Sequence, residues 1–188
     1  MIVDLTFNKI KSENNYDLAI VVPCYNESLN IYNFYIEWKS EFERLSINYV
    51  FIFVNDGSKD DTLACLNNLP QINTHFIINK FNSGHGRSLR QGYDFALNCI
   101  SSKYILQIDS DGQCLVKYFS EFWKNREKFK FVLGTRTSRG DGLIRKVTSK
   151  LASLFSSLIF NKIINDPNTP YRLMETSSLR ICLNKIPQ

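Results

Sequence analysis

Apolar runs of strand length alternate with segments of helical periodicity along most of the chain, the signature of a parallel sheet with crossover helices. The first run is Leu18-Ala-Ile-Val-Val22, closed by Pro23, which cannot donate to a sheet ladder. From Glu27 to Leu45 the apolar positions Ile31, Phe34, Tyr35, Trp38, Phe42 and Leu45 recur at three and four residues and predict an amphipathic helix, with its aromatic stripe turned to the core. Tyr49-Val-Phe-Ile-Phe-Val54 is continuously apolar, as a strand covered on both faces must be. A short helix over 60–68, a strand over 75–79, a helix from Gly84 to Cys99, a strand over 103–108, a helix over 115–127 and a strand over 129–133 follow. After Gly134 a polar loop, 135–142, precedes a helix-like stretch over 143–160. The chain divides accordingly into an N-terminal extension over 1–16, a core over 17–135 and a further segment over 136–188.

In open parallel sheets ligands bind beyond the carboxyl ends of the strands, where loops converge and helix N-termini aim their amides at the crevice. The polar clusters of this sequence fall at those ends. They are Pro23-Cys-Tyr-Asn-Glu27, Asn55-Asp-Gly-Ser58, Asn82-Ser-Gly-His-Gly-Arg87 and Asp109-Ser-Asp111. With one residue between them, the carboxylates of Asp109 and Asp111 can converge on one point and suit a hard cation such as Mg²⁺ or Mn²⁺, which would neutralise diphosphate charge. The alternative for this pair is a turn capping the next helix; its position after a buried strand favours the metal. Asp56 reads either as an Asp-Gly turn former or as an acceptor for a nucleobase or ribose, and Asp60 as the N-cap of the following helix. His85 stands either beside a nucleotide or in solvent, whereas His75, within an apolar strand, reads as structural.

Gly84-His-Gly-Arg-Ser88 lacks the Gly-Lys-Ser/Thr of a P-loop, and no dinucleotide-binding glycine pattern follows the first strand, so ATPase and hydride-transfer chemistry have no support. A nucleotidyltransferase would carry a glycine- and arginine-rich loop where Pro23 to Glu27 stand. The composition, 44% hydrophobic and 22% charged over 188 residues, is that of a folded domain. The net charge of +5 gathers late, at Lys128, Lys130, Arg136, Arg139, Arg145, Lys146 and Lys150. That excess is either a solvated face or a surface for substrate phosphates, an anionic membrane or nucleic acid, of which a nucleic-acid partner is not expected for the chain as a whole. Five cysteines without a C-x-x-C pair read as reduced core thiols of a cytoplasmic protein. No apolar stretch is long enough to span a bilayer. The abrupt end at Ile186-Pro-Gln188 is expected of a piece of a longer protein, one in which a membrane anchor could follow.

Taken together, Val21-Val-Pro-Cys-Tyr-Asn-Glu27, Val54-Asn-Asp-Gly-Ser-Lys-Asp-Asp-Thr62, Asn82-Ser-Gly-His-Gly-Arg-Ser-Leu-Arg-Gln-Gly92 and Asp109-Ser-Asp-Gly-Gln113 resemble the motifs of family 2 glycosyltransferases, in their order and spacing. The resemblance implies a GT-A type nucleotide-diphosphosugar transferase fold in the α/β class, with a mainly parallel sheet and helices on both faces. It implies an inverting, metal-dependent transfer from a nucleotide-diphosphate sugar. Pro23, Tyr25, Glu27, Asp56, Gly84 and His85 would then lie at the nucleotide, and Asp109 and Asp111 at the metal.

Gly134-Thr-Arg136, Arg139, Arg145-Lys146 and Asp166-Pro-Asn-Thr-Pro-Tyr-Arg172 are similar to the polyprenyl- and dolichol-phosphate sugar transferases. By that likeness Arg136, Arg139 and Arg172 would engage acceptor or diphosphate. A lipid-phosphate acceptor needs no general base. A saccharide hydroxyl does, and Asp166 is the candidate, with a turn before Pro167 as its other reading. The acceptor is expected to be a polyprenyl phosphate or a cell-envelope glycan precursor; transfer to a saccharide hydroxyl in polysaccharide synthesis, or a non-catalytic nucleotide-sugar module, are the alternatives. The amphipathic pattern over 143–160 suits either peripheral contact at the cytoplasmic face of a membrane or packing onto the sheet. Two departures from the family are Gly84-His85-Gly86, where Gly-Lys-Gly is common, and Cys114-Leu115, where a proline-containing turn often stands.

Overall fold

The structure, a computed structural model, describes residues 14–134 and 169–185. The predicted helix over 143–160, and with it Arg136, Arg139 and Asp166, lies outside the described residues. Six strands form one mixed sheet: β1 (Asn15–Cys24), β2 (Tyr49–Asn55), β3 (Thr74–Ile78), β4 (Ser101–Gln107), β5 (Phe131–Leu133) and β6 (Arg172–Glu175), in the order β3-β2-β1-β4-β6-β5. The helices are α1 (Ile31–Arg44), α2 (Thr62–Asn67), α3 (His85–Cys99), α4 (Phe119–Asn125) and α5 (Thr176–Asn184). Strands β1 to β4 are parallel, and β6 runs antiparallel between β4 and β5. This is the α/β architecture, helices on both faces, that the alternating pattern predicts.

The period of two along β1 and β2 sorts side chains into two cores. Leu18, Ile20 and Val22 with Tyr49, Phe51 and Phe53 face α1 and α4, while Ala19 and Val21 with Val50, Ile52 and Val54 face α3 and α5. The first core is aromatic. Phe42 and Phe119 pack edge to face at 5.1 Å, and Trp38 meets Tyr171 at 5.8 Å, tying α1 to α4 and to the residue before β6. Burying each such ring stabilises the fold by about 2–3 kcal/mol. The second core is thinner because small residues face it. A Cβ on Gly92 would collide with Val21 Cγ1, so α3 lies close upon β1 and its first turn reaches the carboxyl end of the sheet.

Several boundaries differ from the sequence expectation, each for a local reason. Strand β1 continues through Pro23, which pairs with Val54. Val21 and Pro23 face β4, whose pairing with β1 ends at Val21 opposite Gln107, so the missing N–H of Pro23 breaks no ladder bond. Helix α1 starts at Ile31 and not Glu27, because the Glu27 carbonyl accepts from the amides of Asn30 (2.9 Å) and Ile31 (3.0 Å) in a preceding turn. The helix expected over 115–127 is a 3-10 turn at Val116–Tyr118 followed by α4. Strand β6 and helix α5 were not foreseen. Four residues with half-buried ends leave too short a pattern to read, and antiparallel pairing with Gln107 and Leu133 sets their register.

None of the five cysteines is in a disulfide. Cys24, Cys99 and Cys114 are buried as expected, but Cys182 is exposed on the outer side of α5. His75, half-buried against Phe95 at 5.3 Å, has its pKa lowered, first by burial.

Candidate functional site

The carboxyl ends of β1, β2 and β4 and the first turn of α3 enclose a cleft of about 340 Å³. Of the residues singled out from sequence, Pro23, Tyr25, Glu27, Asp56, His85, Asp109 and Asp111 all line it. Gly84 does not line it but donates its amide to Asp56 on the cleft wall. Arg172 stands outside the lining, opposite Gln107 at the same end of β4, with its Nε donating to the Thr169 carbonyl at 2.8 Å.

The loop after β1 is sewn to the loop after β2. Asn26 donates its amide to Ser58 Oγ (3.0 Å) and accepts at Oδ1 from the Lys59 amide (2.8 Å). The Glu27 amide donates to Thr62 Oγ1 (2.7 Å) and the Ser28 amide to Asp60 (3.1 Å). Asp60 is therefore not the N-cap residue, a place Asp61 takes; its carboxylate bridges Ser28 and Thr62. These bonds hold Tyr25 and Glu27 at the cleft rim.

Asp56 organises the opposite wall. It is 3% exposed, and its carboxylate accepts four hydrogen bonds: from Asn79 Nδ2 (3.0 Å), the Ser83 amide (2.9 Å), Ser83 Oγ (2.6 Å) and the Gly84 amide (2.8 Å). Burial pushes its pKa up, but the Ser83, Asn79 and Gly84 hydrogen bonds outweigh it and hold the group at about 2. Gly57 lets this loop approach. Its φ is +66°, and a Cβ there would lie 2.5 Å from the Phe81 carbonyl carbon and 2.7 Å from the Asn82 nitrogen, both backbone.

Asp60 is treated alike: desolvation raises it, hydrogen bonds from Thr62 and Ser28 win, and it rests at about 2. Both groups have folded pKa values below the unfolded value of about 3.9. Their stabilisation is complete above that value and is lost as pH falls from about 4 toward 2. The expected outcome is a urea midpoint that falls across that window, and falls less steeply in Asp56→Ala.

At the centre, β4 ends at Gln107 and delivers Asp109, whose side chain is 23% exposed. Behind it the Tyr93 hydroxyl donates to Gln107 Oε1, both groups buried. Burial pushes the Tyr93 pKa up, with partial relief from Arg172, so this hydroxyl stays protonated. Asp111 is exposed and accepts from the Gln113 amide at 3.0 Å, a turn that leaves the rest of its carboxylate to solvent. His85 Nε2 lies 3.9 Å from Asp109 Oδ1. The Cys24 thiol, also in the lining, has its pKa pushed up by burial.

Among the described residues no cluster of three or more His, Cys, Asp or Glu could hold a metal alone. Two carboxylates in an open cleft instead fit a hard cation that takes its remaining oxygens from a phosphate ligand and water. Cys24, Asn82, Ser88 and Ser110 also line the cleft; they stand within the motifs quoted from the sequence, but sequence reasoning gave none of them a role there. For Ser88 the available signal was its place four residues after Gly84, on the turn of α3 that opens at the strand ends.

Fold and cleft are those of an α/β domain with a polar crevice at its strand ends, and comparison with known proteins supplies the family. The sequence profile of glycosyl transferase family 2 matches residues 19–185, and the chain belongs to that family. Relatives include the uncharacterized glycosyltransferase sll0501 of Synechocystis sp., 33% identical over 168 residues, covering 85% of this chain and 50% of that protein. A dolichyl-phosphate beta-glucosyltransferase of Dictyostelium discoideum is 30% identical over 126 residues, 62% of this chain and 37% of the relative. The chain thus spans half or less of the length of these curated relatives. Among solved structures, glucosyl-3-phosphoglycerate synthase of Mycobacterium tuberculosis, in complex with Mn²⁺, uridine diphosphate and glucosyl-3-phosphoglycerate, superposes with a TM-score of 0.60 at 16% identity. That match covers 86% of this chain and 57% of the other, and it supports the GT-A fold. No helix among the described residues is long and apolar enough to cross a membrane.

Proposed function

We propose that this chain binds a nucleotide-diphosphate sugar in the cleft and transfers the sugar, with inversion, to a polyprenyl phosphate at the cytoplasmic face of a membrane. The observation that carries the donor half is the convergence of Tyr25, Glu27, Asp56, His85, Asp109 and Asp111 on one cleft from three strand ends and the first turn of α3. Tyr25, 40% exposed at the rim, offers a ring face to a base, with Pro23, Glu27 and Asp56 shaping the nucleoside pocket. Asp109 and Asp111 would hold Mg²⁺ or Mn²⁺ together with the diphosphate. When bound, the cation neutralises charge developing on the leaving nucleoside diphosphate. The likeness to a synthase fold seen with Mn²⁺ and uridine diphosphate supports this reading.

The acceptor half is supported by the dolichyl-phosphate relative and by the basic run Arg136, Arg139, Arg145 and Lys146, with Arg172 at the cleft end of β6. An oxygen of the lipid phosphate, anionic at neutral pH, attacks the anomeric carbon. The new carbon–oxygen bond forms as the bond to the diphosphate breaks, and no proton needs to be removed. Were the acceptor a saccharide hydroxyl, a carboxylate would take its proton, and Asp166 is the residue assigned to that task.

The test is transfer of labelled sugar from a panel of UDP- and GDP-sugars to a short-chain polyprenyl phosphate in Mn²⁺. Product dependent on both metal and lipid phosphate is expected. Transfer only to saccharides would move the acceptor assignment, and nucleotide-sugar binding without turnover in any arm would leave a binding module.

A further inference from the structure

Ser88, in the first turn of α3, is 1% exposed, lines the cleft, and its Oγ has no hydrogen-bond partner among the described residues. Buried hydroxyls nearly always have a partner, and one left without is destabilising, so the free protein tolerates a defect at this position.

Its surroundings say what could satisfy it. The Ser88 and Arg87 amides both donate to the Gly84 carbonyl, at 3.1 and 3.0 Å, while the amides of His85 and Gly86, first in the helix, have no acceptor within it. The helix is 15 residues long and its first residue, His85, lines the cleft, so its positive end faces this part of it. His85 Nε2, 3.9 Å from Asp109 Oδ1, places that end beside the acid pair. Open space lies before it, where a Cβ on Gly84 or Gly86 would meet nothing within 4 Å. A buried hydroxyl and first-turn amides at a positive helix end suit an anionic oxygen that inserts between α3 and the acids.

The geometry points to Ser88 as a donor-binding residue whose hydroxyl, with the amides of His85 and Gly86, holds an oxygen of the nucleoside diphosphate. This rests on the reading of the cleft as the nucleotide-sugar site and deepens it. Asp109 and Asp111, through the cation they would hold, would fix the diphosphate from the end of β4, and α3 would fix it from the other side. A hydroxyl left unsatisfied in the free protein then becomes satisfied only when ligand is bound.

Ser88→Ala tests this, because it removes an unpartnered hydroxyl and leaves the packing in place. Calorimetric titration with UDP and GDP in Mn²⁺, and competition by uridine and guanosine, are compared between the two proteins. The free variant is expected to melt at or above the wild-type temperature. Its affinity for the preferred nucleoside diphosphate should fall about tenfold, the effect of one hydrogen bond to a charged oxygen, and nucleoside affinity should not change. An unchanged diphosphate affinity would overturn the assignment. So would an equal loss for nucleosides, which would put the contact on ribose or base, and so would a lowered melting temperature of the free variant, which would mean the hydroxyl is used in the fold. If the wild type binds neither UDP nor GDP, the nucleotide reading itself falls and this inference with it; wild-type binding left untouched by Ser88→Ala removes this inference alone.

Discussion

Asp109→Ala is expected to lower the rate of sugar transfer by about 100- to 1,000-fold, the scale on which loss of one group that stabilises transition-state charge acts, while leaving the fold intact. Asp109 lies just beyond the last residue of β4, outside both apolar cores, so truncating it opens no packing defect there. It lines the cleft with Asp111 and lies 3.9 Å from His85, among the polar groups that would face a diphosphate. Circular dichroism and melting temperature should match wild type within about 2 °C, as surface-type substitutions do. Transfer at the wild-type rate would remove Asp109 from the reaction, and a large drop in melting temperature would mean that it acts through the fold.

Asp56→Ala is expected to do the reverse and strike stability first. Four hydrogen bonds converge on this carboxylate at a position where Asp56 is 3% exposed; its removal strands the Ser83 amide and hydroxyl, while Asn79 keeps Gln91 and the Gly84 amide keeps Asn82 as acceptors. Breaking such a buried charged network costs about 3 kcal/mol. For a chain of 188 residues that corresponds to a fall of roughly 6–12 °C in melting temperature. Donor affinity should fall with it, because the loop over 79–84 sets the start of α3 and thereby the position of His85 and Ser88. Differential scanning calorimetry reads the first effect and nucleotide titration the second. A variant that melts like wild type would show that the loop is held by other contacts.

These two acids also show how far the residue pattern carries. Asp109 and Asp111 were legible because a one-residue spacing after a buried strand has few geometric outcomes, and the cleft contains both. Asp56 was legible as a strand-end acid, but its binding of the loop over 79–84 was not, since its partners Asn79, Ser83 and Gly84 come from 23 to 28 residues away and no local spacing records that approach. Helix α1 could be read from Ile31, Phe34, Tyr35, Trp38 and Phe42, all buried, because helical period and burial coincide there.

The end of β1 could not be read, because a proline stops a strand only when its missing N–H faces a partner, and that depends on where β4 ends. Strand β6 was hidden for the same kind of reason. Arg172 and Glu175 at its ends are half-buried, and only pairing with β4 and β5 makes a strand of the four residues. Ser88 escaped notice because a serine on the inner face of an amphipathic helix looks like an ordinary core position until the neighbouring loops are placed around it.

If, as proposed, the paired acids at the tip of β4 join a divalent cation to a nucleoside diphosphate, metal and acids must act on nucleotide binding together. Calorimetric titration of UDP and GDP into wild type and the Asp109→Ala/Asp111→Ala double variant, each with and without Mn²⁺, tests it most directly. Mn²⁺ is expected to tighten diphosphate binding to the wild type by about tenfold or more and to have no effect on the double variant. Equal tightening in both proteins, or none in either, would contradict it.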